Sequence, residues 1–123
     1  MFAFSRRLAI IFGILLPLGE TFRSWGAGRP WWAWFDDYLI GAFLLLGAWR
    51  SRSDTREGQR VLAAAWGFAC GLGYASFFGH LEHIREPDPG NIPQVTLTII
   101  IGTGWLLAIL ALIASLKRLP EKE

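Results

Sequence analysis

The stretch IPQVTLTIIIGTGWLLAILALIASL, residues 92–116, decides the fold class of this chain. It contains no Asp, Glu, Lys or Arg. An α-helix needs roughly 20 apolar residues to cross the hydrocarbon core of a bilayer, and this stretch is long enough to do so. It therefore predicts a transmembrane helix over about residues 92–116.

Three further apolar blocks precede this stretch and predict helices over about residues 8–25, 30–49 and 61–84. Hydrophobic residues make up 53% of the chain and charged residues 18%, and the charges lie mostly between the blocks. A bilayer demands this segregation, whereas a soluble domain does not. The sequence predicts an all-α integral membrane protein, an antiparallel bundle of four transmembrane helices that forms one domain over residues 1–123.

Lys and Arg lie mainly on one side of the predicted bundle, which indicates its orientation. Arg23, Arg29 and Arg85 lie on the side of the first and third connections. The other nine of the 12 Lys and Arg residues lie at the N-terminus, in the 50–60 loop and at the C-terminus. We therefore expect both termini in the cytoplasm, in a bacterial inner membrane.

Small residues recur at four-residue spacing along the third predicted helix. They are Gly67, Gly71, Ala75 and Gly79. Such a stripe lets the backbone of a neighbouring helix approach closely. It predicts that the third helix is the packing centre of the bundle.

Ionisable residues cluster near the extracytoplasmic ends of three helices. Glu20 lies about 7 Å inside the first helix, Asp37 about 10 Å inside the second and His80 about 6 Å inside the third, at about 1.5 Å per residue. A charge at that depth is costly unless it faces protein or water, so we expect these groups to meet inside the bundle. The predicted polar cluster is Glu20, Arg23, Asp36, Asp37, His80, Glu82 and His83.

Three interpretations of this cluster remain open. A structural network, in a structural or accessory membrane protein, is the first, because polar groups often hold membrane helices together. A metal site is the second, in which His80, His83, Glu20 and Asp37 would offer the nitrogen and oxygen ligands that transition metals accept. Proton-coupled transport or binding of a small molecule is the third, because buried carboxyl groups and histidines suit proton relays.

Several function classes find no support in the sequence. The chain has no basic cluster interleaved with aromatic residues, so we expect no nucleic-acid partner. Its one cysteine, Cys70, cannot form an internal disulfide. No catalytic motif is present, so a non-enzymatic role is favoured, and no cofactor is required, although a transition metal is a candidate. The expected partners are the lipid bilayer and, in addition, copies of the chain or a larger membrane complex.

Overall fold

A computed structural model describes residues 2–26, 32–53, 55–87, 90 and 92–116 of the chain, and the described part is helical. The prediction of four helices is confirmed. Their bounds are α1 Phe2–Ser24, α2 Trp32–Arg50, α3 Arg56–Glu82 and α4 Gln94–Ser115. The predicted start of the second helix at residue 30 and the charged tail after residue 116 lie outside the described residues.

Two helices begin earlier than predicted, because polar residues that still suit a helix precede their long apolar runs. α1 begins at Phe2 and includes Arg6 and Arg7, since arginine is a good helix former. α3 begins at Arg56 rather than near residue 61, and Thr55 caps it by accepting a hydrogen bond from the Gly58 backbone N–H at 3.1 Å. The apolar periodicity used for the prediction could not detect these polar turns.

The four helices run up and down in a ring. α1 packs against α2 and α4, α3 packs against the same two helices, and α1 and α3 barely touch across the diagonal. Near the chain's N-terminus, Ser5 Oγ donates to the Ala111 carbonyl at 2.9 Å, which joins the start of α1 to the end of α4. Consecutive helices are therefore antiparallel. We call the end where α1 and α3 finish the outer end, and the opposite one the inner end.

The hydrophobic core lies toward the inner end. Leu44, Leu62 and Trp66 are fully buried there among alanines of all four helices. The indole N–H of Trp66 donates to the Ser5 carbonyl at 3.3 Å, and the ring meets Phe12 edge-on with 5.4 Å between centroids. A buried indole needs such an acceptor, so these contacts fix the ring at the centre of the core.

Glycines allow close contact between α1 and α2 and between α2 and α3. A Cβ built on Gly41 would lie 2.9 Å from the Gly13 carbonyl oxygen, and one built on Gly47 would lie 2.9 Å from Leu62 Cα. Real Cβ atoms do not tolerate such distances, so larger residues would push the helices apart.

The prediction that the third helix packs through its small-residue stripe is wrong within one copy of the chain. A Cβ built on Gly67, Gly71 or Gly79 would meet no atom within 4 Å, and Ala75 is exposed. The stripe makes no close helix contact because α3 turns Leu62, Ala65, Trp66 and Ala69 toward the core. The close approaches belong to glycines outside the stripe, such as Gly41 in α2 and Gly73 in α3.

Toward the outer end, the α1–α2 and α3–α4 hairpins separate. Every residue of α3 after Ala69 is partly or fully exposed. Aromatic rings still hold α3 to α4 in this half, where Phe77 stacks on Trp105 with 5.8 Å between centroids and Tyr74 meets the same ring edge-on. The bundle is therefore closed at its inner end and open at its outer end.

Candidate functional site

A pair of carboxyl groups lies between α1 and α2 near the outer end. Glu20 is 5% exposed, and its side chain shares a hydrogen bond with that of Asp37. Two carboxylates have no donor between them, so two such groups form a hydrogen bond only when one of them carries a proton. We call Glu20 and Asp37 the carboxyl pair.

Neighbours in α1 complete the surroundings of the carboxyl pair. Ser24 Oγ donates to Glu20 Oε1 at 3.0 Å, and Arg23 Nη1 donates to Glu20 Oε2 at 3.4 Å. The Arg23 side chain is only 11% exposed. One guanidinium thus offsets the single negative charge that remains when the two acids share a proton.

Of the two neighbouring aspartates, Asp37 points toward α1 and Asp36 does not. Asp36 is exposed, and its Oδ1 accepts a hydrogen bond from the Asp37 backbone N–H at 3.0 Å. Asp37 lies one turn before Gly41, where α1 and α2 approach closely. The close backbone contact therefore carries Asp37 toward Glu20.

His80 and His83 belong to a different arrangement, on the α3–α4 side. His80 Nδ1 hydrogen-bonds Gln94 Oε1 at 2.7 Å, and Gln94 Nε2 donates to the His83 carbonyl at 3.2 Å. His83 Nδ1 contacts the Glu86 carboxylate. This hydrogen bond, together with the negative charge of Glu86, raises the pKa of the exposed His83 imidazole.

An open cleft of about 440 Å³ joins the two arrangements. It lies where the hairpins separate, with Arg23 on one wall and Ser76, His80 and His83 on the other. The carboxyl pair lies behind Arg23. We call this space the outer cleft, and its lining is Arg23, Ala75, Ser76, Gly79, His80, His83, Glu86, Pro87 and Gln94.

The predicted polar cluster is therefore divided. Glu20, Arg23 and Asp37 meet directly, whereas His80 and His83 reach them only across the outer cleft. Glu82 lies exposed at the end of α3, and its charge acts on His83. Within the described ranges, no three His, Cys, Asp or Glu side chains come close enough together to hold a metal ion.

Three polar partners were not predicted from the sequence. Ser24 stands four residues after Glu20, and Glu86 stands three residues after His83. Side chains four residues apart share a helix face, so spacing was a usable signal for Ser24, whereas His83 and Glu86 lie in the turn after α3. Gln94 bridges two helices through a contact that no local spacing indicates.

The comparisons with known proteins give no family. No protein-family model matches the chain, and no curated protein or solved structure is significantly similar to it. The site is therefore interpreted from its own chemistry.

Proposed function

We propose that this chain is an integral membrane protein whose four helices all cross the bilayer. α3 and α4 are long and apolar enough to do so, and only 22% and 33% of their most apolar stretches are buried in the protein. A core helix of a soluble protein would be mostly buried. α1 and α2 lie alongside them and also expose large apolar side chains such as Ile14, Leu15 and Leu46. Lipid is the environment that such a surface fits.

The inner end supports a position at the cytoplasmic membrane surface. Trp49 is 58% exposed there, and the Arg52 guanidinium lies 4.4 Å from the centroid of its ring. Amphipathic rings of this kind concentrate at the headgroup level, and arginine is enriched on the cytoplasmic side. We therefore propose a bacterial inner membrane protein with both termini in the cytoplasm and the outer cleft on the extracytoplasmic side.

We further propose that the outer cleft binds a small polar solute and that the carboxyl pair binds a proton linked to it. The hydrogen bond between Glu20 and Asp37 carries this proposal, because it requires a bound proton beside an open polar cleft. Arg23 connects the two, since it touches Glu20 and also lines the cleft. A change in the cleft can therefore reach the bound proton through one side chain.

Infrared spectroscopy of the purified protein tests the bound proton. At neutral pH, we expect the carbonyl stretch of a protonated carboxyl group, lost in Asp37→Asn and in Glu20→Gln. Asp36→Asn is the matched control, because Asp36 is exposed and should not affect the band. Absence of the band from the wild type, or its loss in Asp36→Asn alone, would exclude a proton shared by Glu20 and Asp37.

A purely structural role in a membrane accessory protein is the second candidate. It is favoured by one observation, which is that Glu20 bonds Arg23, Ser24 and Asp37 within a single hairpin. Under this interpretation, Asp37→Asn lowers the thermal stability in detergent and changes no binding property. Under the proton-binding proposal, the infrared band disappears while the protein still folds, because asparagine preserves the shape of the side chain.

The metal-binding interpretation stays a prediction. The histidines bond Gln94 and Glu86, and Glu20 and Asp37 bond each other. Elemental analysis of the protein purified in detergent tests it, since a stoichiometric transition metal would require these groups to rearrange. Association with further copies of the chain or with a larger complex also stays a prediction.

A further inference from the structure

The walls of the outer cleft carry one arginine and two histidines, and most of the nearby acids lie elsewhere. Arg23, His80 and His83 line the cleft, whereas Glu20 and Asp37 do not. Glu86 is the acidic residue of the lining, and its carboxylate contacts His83. A solute in the cleft therefore meets the positive side of the Arg23–Glu20 ion pair.

A neutral polar side chain in the cleft determines which ring nitrogen of His80 carries a hydrogen. Gln94 Nε2 donates to the His83 carbonyl, so Gln94 Oε1 is the acceptor and His80 Nδ1 carries a hydrogen. Ser76 adds a hydroxyl to the same wall. The lining thus combines charge with hydrogen-bonding groups, as small-molecule sites do.

Every element around the cleft contributes to its charge balance, except α4, which contributes the neutral Gln94. Arg23 faces the cleft with the carboxyl pair behind it, and the exposed Asp36 and Glu82 lie farther out. Among the described residues, the titratable and charged groups are Glu20 and Arg23 from α1, Asp36 and Asp37 from α2, His80 and Glu82 from α3, and His83, Arg85 and Glu86 after it.

We propose that the outer cleft binds a small organic carboxylate together with one proton. The inference rests on the proposed function, in that the carboxyl pair must hold an exchangeable proton. A carboxylate ligand binds the Arg23 guanidinium, the side chain best matched to it in geometry. The ligand then competes with Glu20 for the same cation. The carboxyl pair, left with less compensation for its negative charge, takes up a second proton.

This exchange keeps the charge of the site constant. Before binding, one guanidinium balances one negative charge on the carboxyl pair. Afterwards, the same guanidinium balances the ligand carboxylate, and the pair is neutral because each acid carries a proton. One anion and one proton therefore enter together, so no net charge is added in a region where an uncompensated charge is costly. The cleft volume, about 440 Å³, lies in the range of small-molecule pockets.

Three probes of the same shape and different charge test the ligand class. They are benzoate, neutral benzamide and cationic benzamidinium, measured by isothermal titration calorimetry of the detergent-purified protein at neutral pH. We expect benzoate to bind about tenfold or more tightly than either of the others, the scale of one charged hydrogen bond. Titrations in buffers of different ionisation enthalpy should show uptake of about one proton per benzoate, the number set by charge balance.

Two variants locate the binding. Arg23→Gln should abolish benzoate binding, but it also removes the ion pair of the buried Glu20 and can weaken the fold. Gly79→Leu avoids this problem, because a Cβ there meets no atom within 4 Å while the side chain occupies the cleft. It should weaken benzoate binding by about tenfold or more. Gly67→Leu is the matched control, equally open but away from the cleft, and should bind benzoate like the wild type.

The outcomes separate this inference from the proposed function. Absence of benzoate binding, or stronger binding of benzamide or benzamidinium, overturns the assignment of a carboxylate ligand. Equal binding by Gly79→Leu and the wild type places benzoate outside the cleft and overturns it as well. Benzoate binding without proton uptake overturns the proposed link between ligand binding and protonation of the carboxyl pair. The infrared band of the carboxyl pair is measured without any ligand, so its absence from the wild type would instead contradict the proposed function.

Discussion

Two kinds of contact organise the outer end at the scale of single residues. The side chains of Glu20 and Asp37 meet inside the α1–α2 hairpin, and His80 and His83 are held by neighbours on the α3–α4 side. Depth along the helices was enough to predict that Glu20 and Asp37 meet, because both lie where an unpartnered charge is costly. The same reasoning placed His80 with them, but it could not foresee that Gln94 would hold this imidazole instead.

The pKa of His83 gives a pH-dependent prediction at this scale. Hydrogen bonding to Glu86 raises the pKa of the exposed imidazole above its ordinary value, near 6.5. The contact therefore stabilises the fold fully below the unfolded pKa and loses its effect as the pH rises through the folded pKa. NMR titration should give a midpoint above 6.5 for His83.

Glu86→Gln is the control for this titration. It removes the negative charge and keeps the length of the side chain, so the midpoint of His83 should fall toward the ordinary value. A midpoint that is the same in both proteins would mean that the contact is absent in solution.

At the scale of helices, apolar runs predicted the number and order of the helices. Polar residues at the helix starts made the predicted bounds less accurate. The apolar block that begins at Val61 revealed α3, but the helix extends back to Arg56 because Thr55 caps it. The prediction that α3 packs through its small-residue stripe failed for a related reason. Spacing identifies a smooth helix face, but only the direction of Leu62 and Trp66 decides which face packs.

Substitution of two glycines tests whether helices pack closely at Gly41 of α2 rather than along the small-residue stripe of α3. Gly41→Leu should destabilise the protein by about 1–3 kcal/mol, the usual cost of overpacking, because a Cβ there would lie 2.6 Å from Pro17 Cγ. Gly71→Leu meets open space and should change the stability of one copy little. Thermal unfolding in detergent, followed by circular dichroism, compares them. A larger loss in Gly71→Leu would restore the stripe as a packing surface.

The cap of α3 gives a second prediction for an element. Thr55→Ala removes the side-chain acceptor for the Gly58 N–H and should cost about 1 kcal/mol. Thr55→Ser retains a hydroxyl and should recover most of that loss in the same unfolding experiment. Equal stability of Thr55→Ala and the wild type would mean that this cap does not hold the start of the helix.

At the scale of the whole molecule, a bundle closed at one end and open at the other links architecture to function. Trp66 and the alanines around it close the inner end, while the separated hairpins leave a polar cleft at the outer end. The sequence predicted four helices and a polar outer end from segregation of charge and apolar residues. It could not predict the separation of the hairpins, because that depends on which faces of α3 and α4 the aromatic rings join.

Cysteine labelling in intact cells tests most directly the central claim of a four-span protein with a cleft open to the outside. In a Cys70→Ala background, Ser76→Cys lies in the outer cleft and Ser53→Cys lies exposed at the opposite end. We predict that a membrane-impermeant thiol reagent labels Ser76→Cys in intact cells and labels Ser53→Cys only after the membrane is permeabilised. Labelling of Ser53→Cys but not Ser76→Cys in intact cells, or of both equally, would contradict the proposed arrangement.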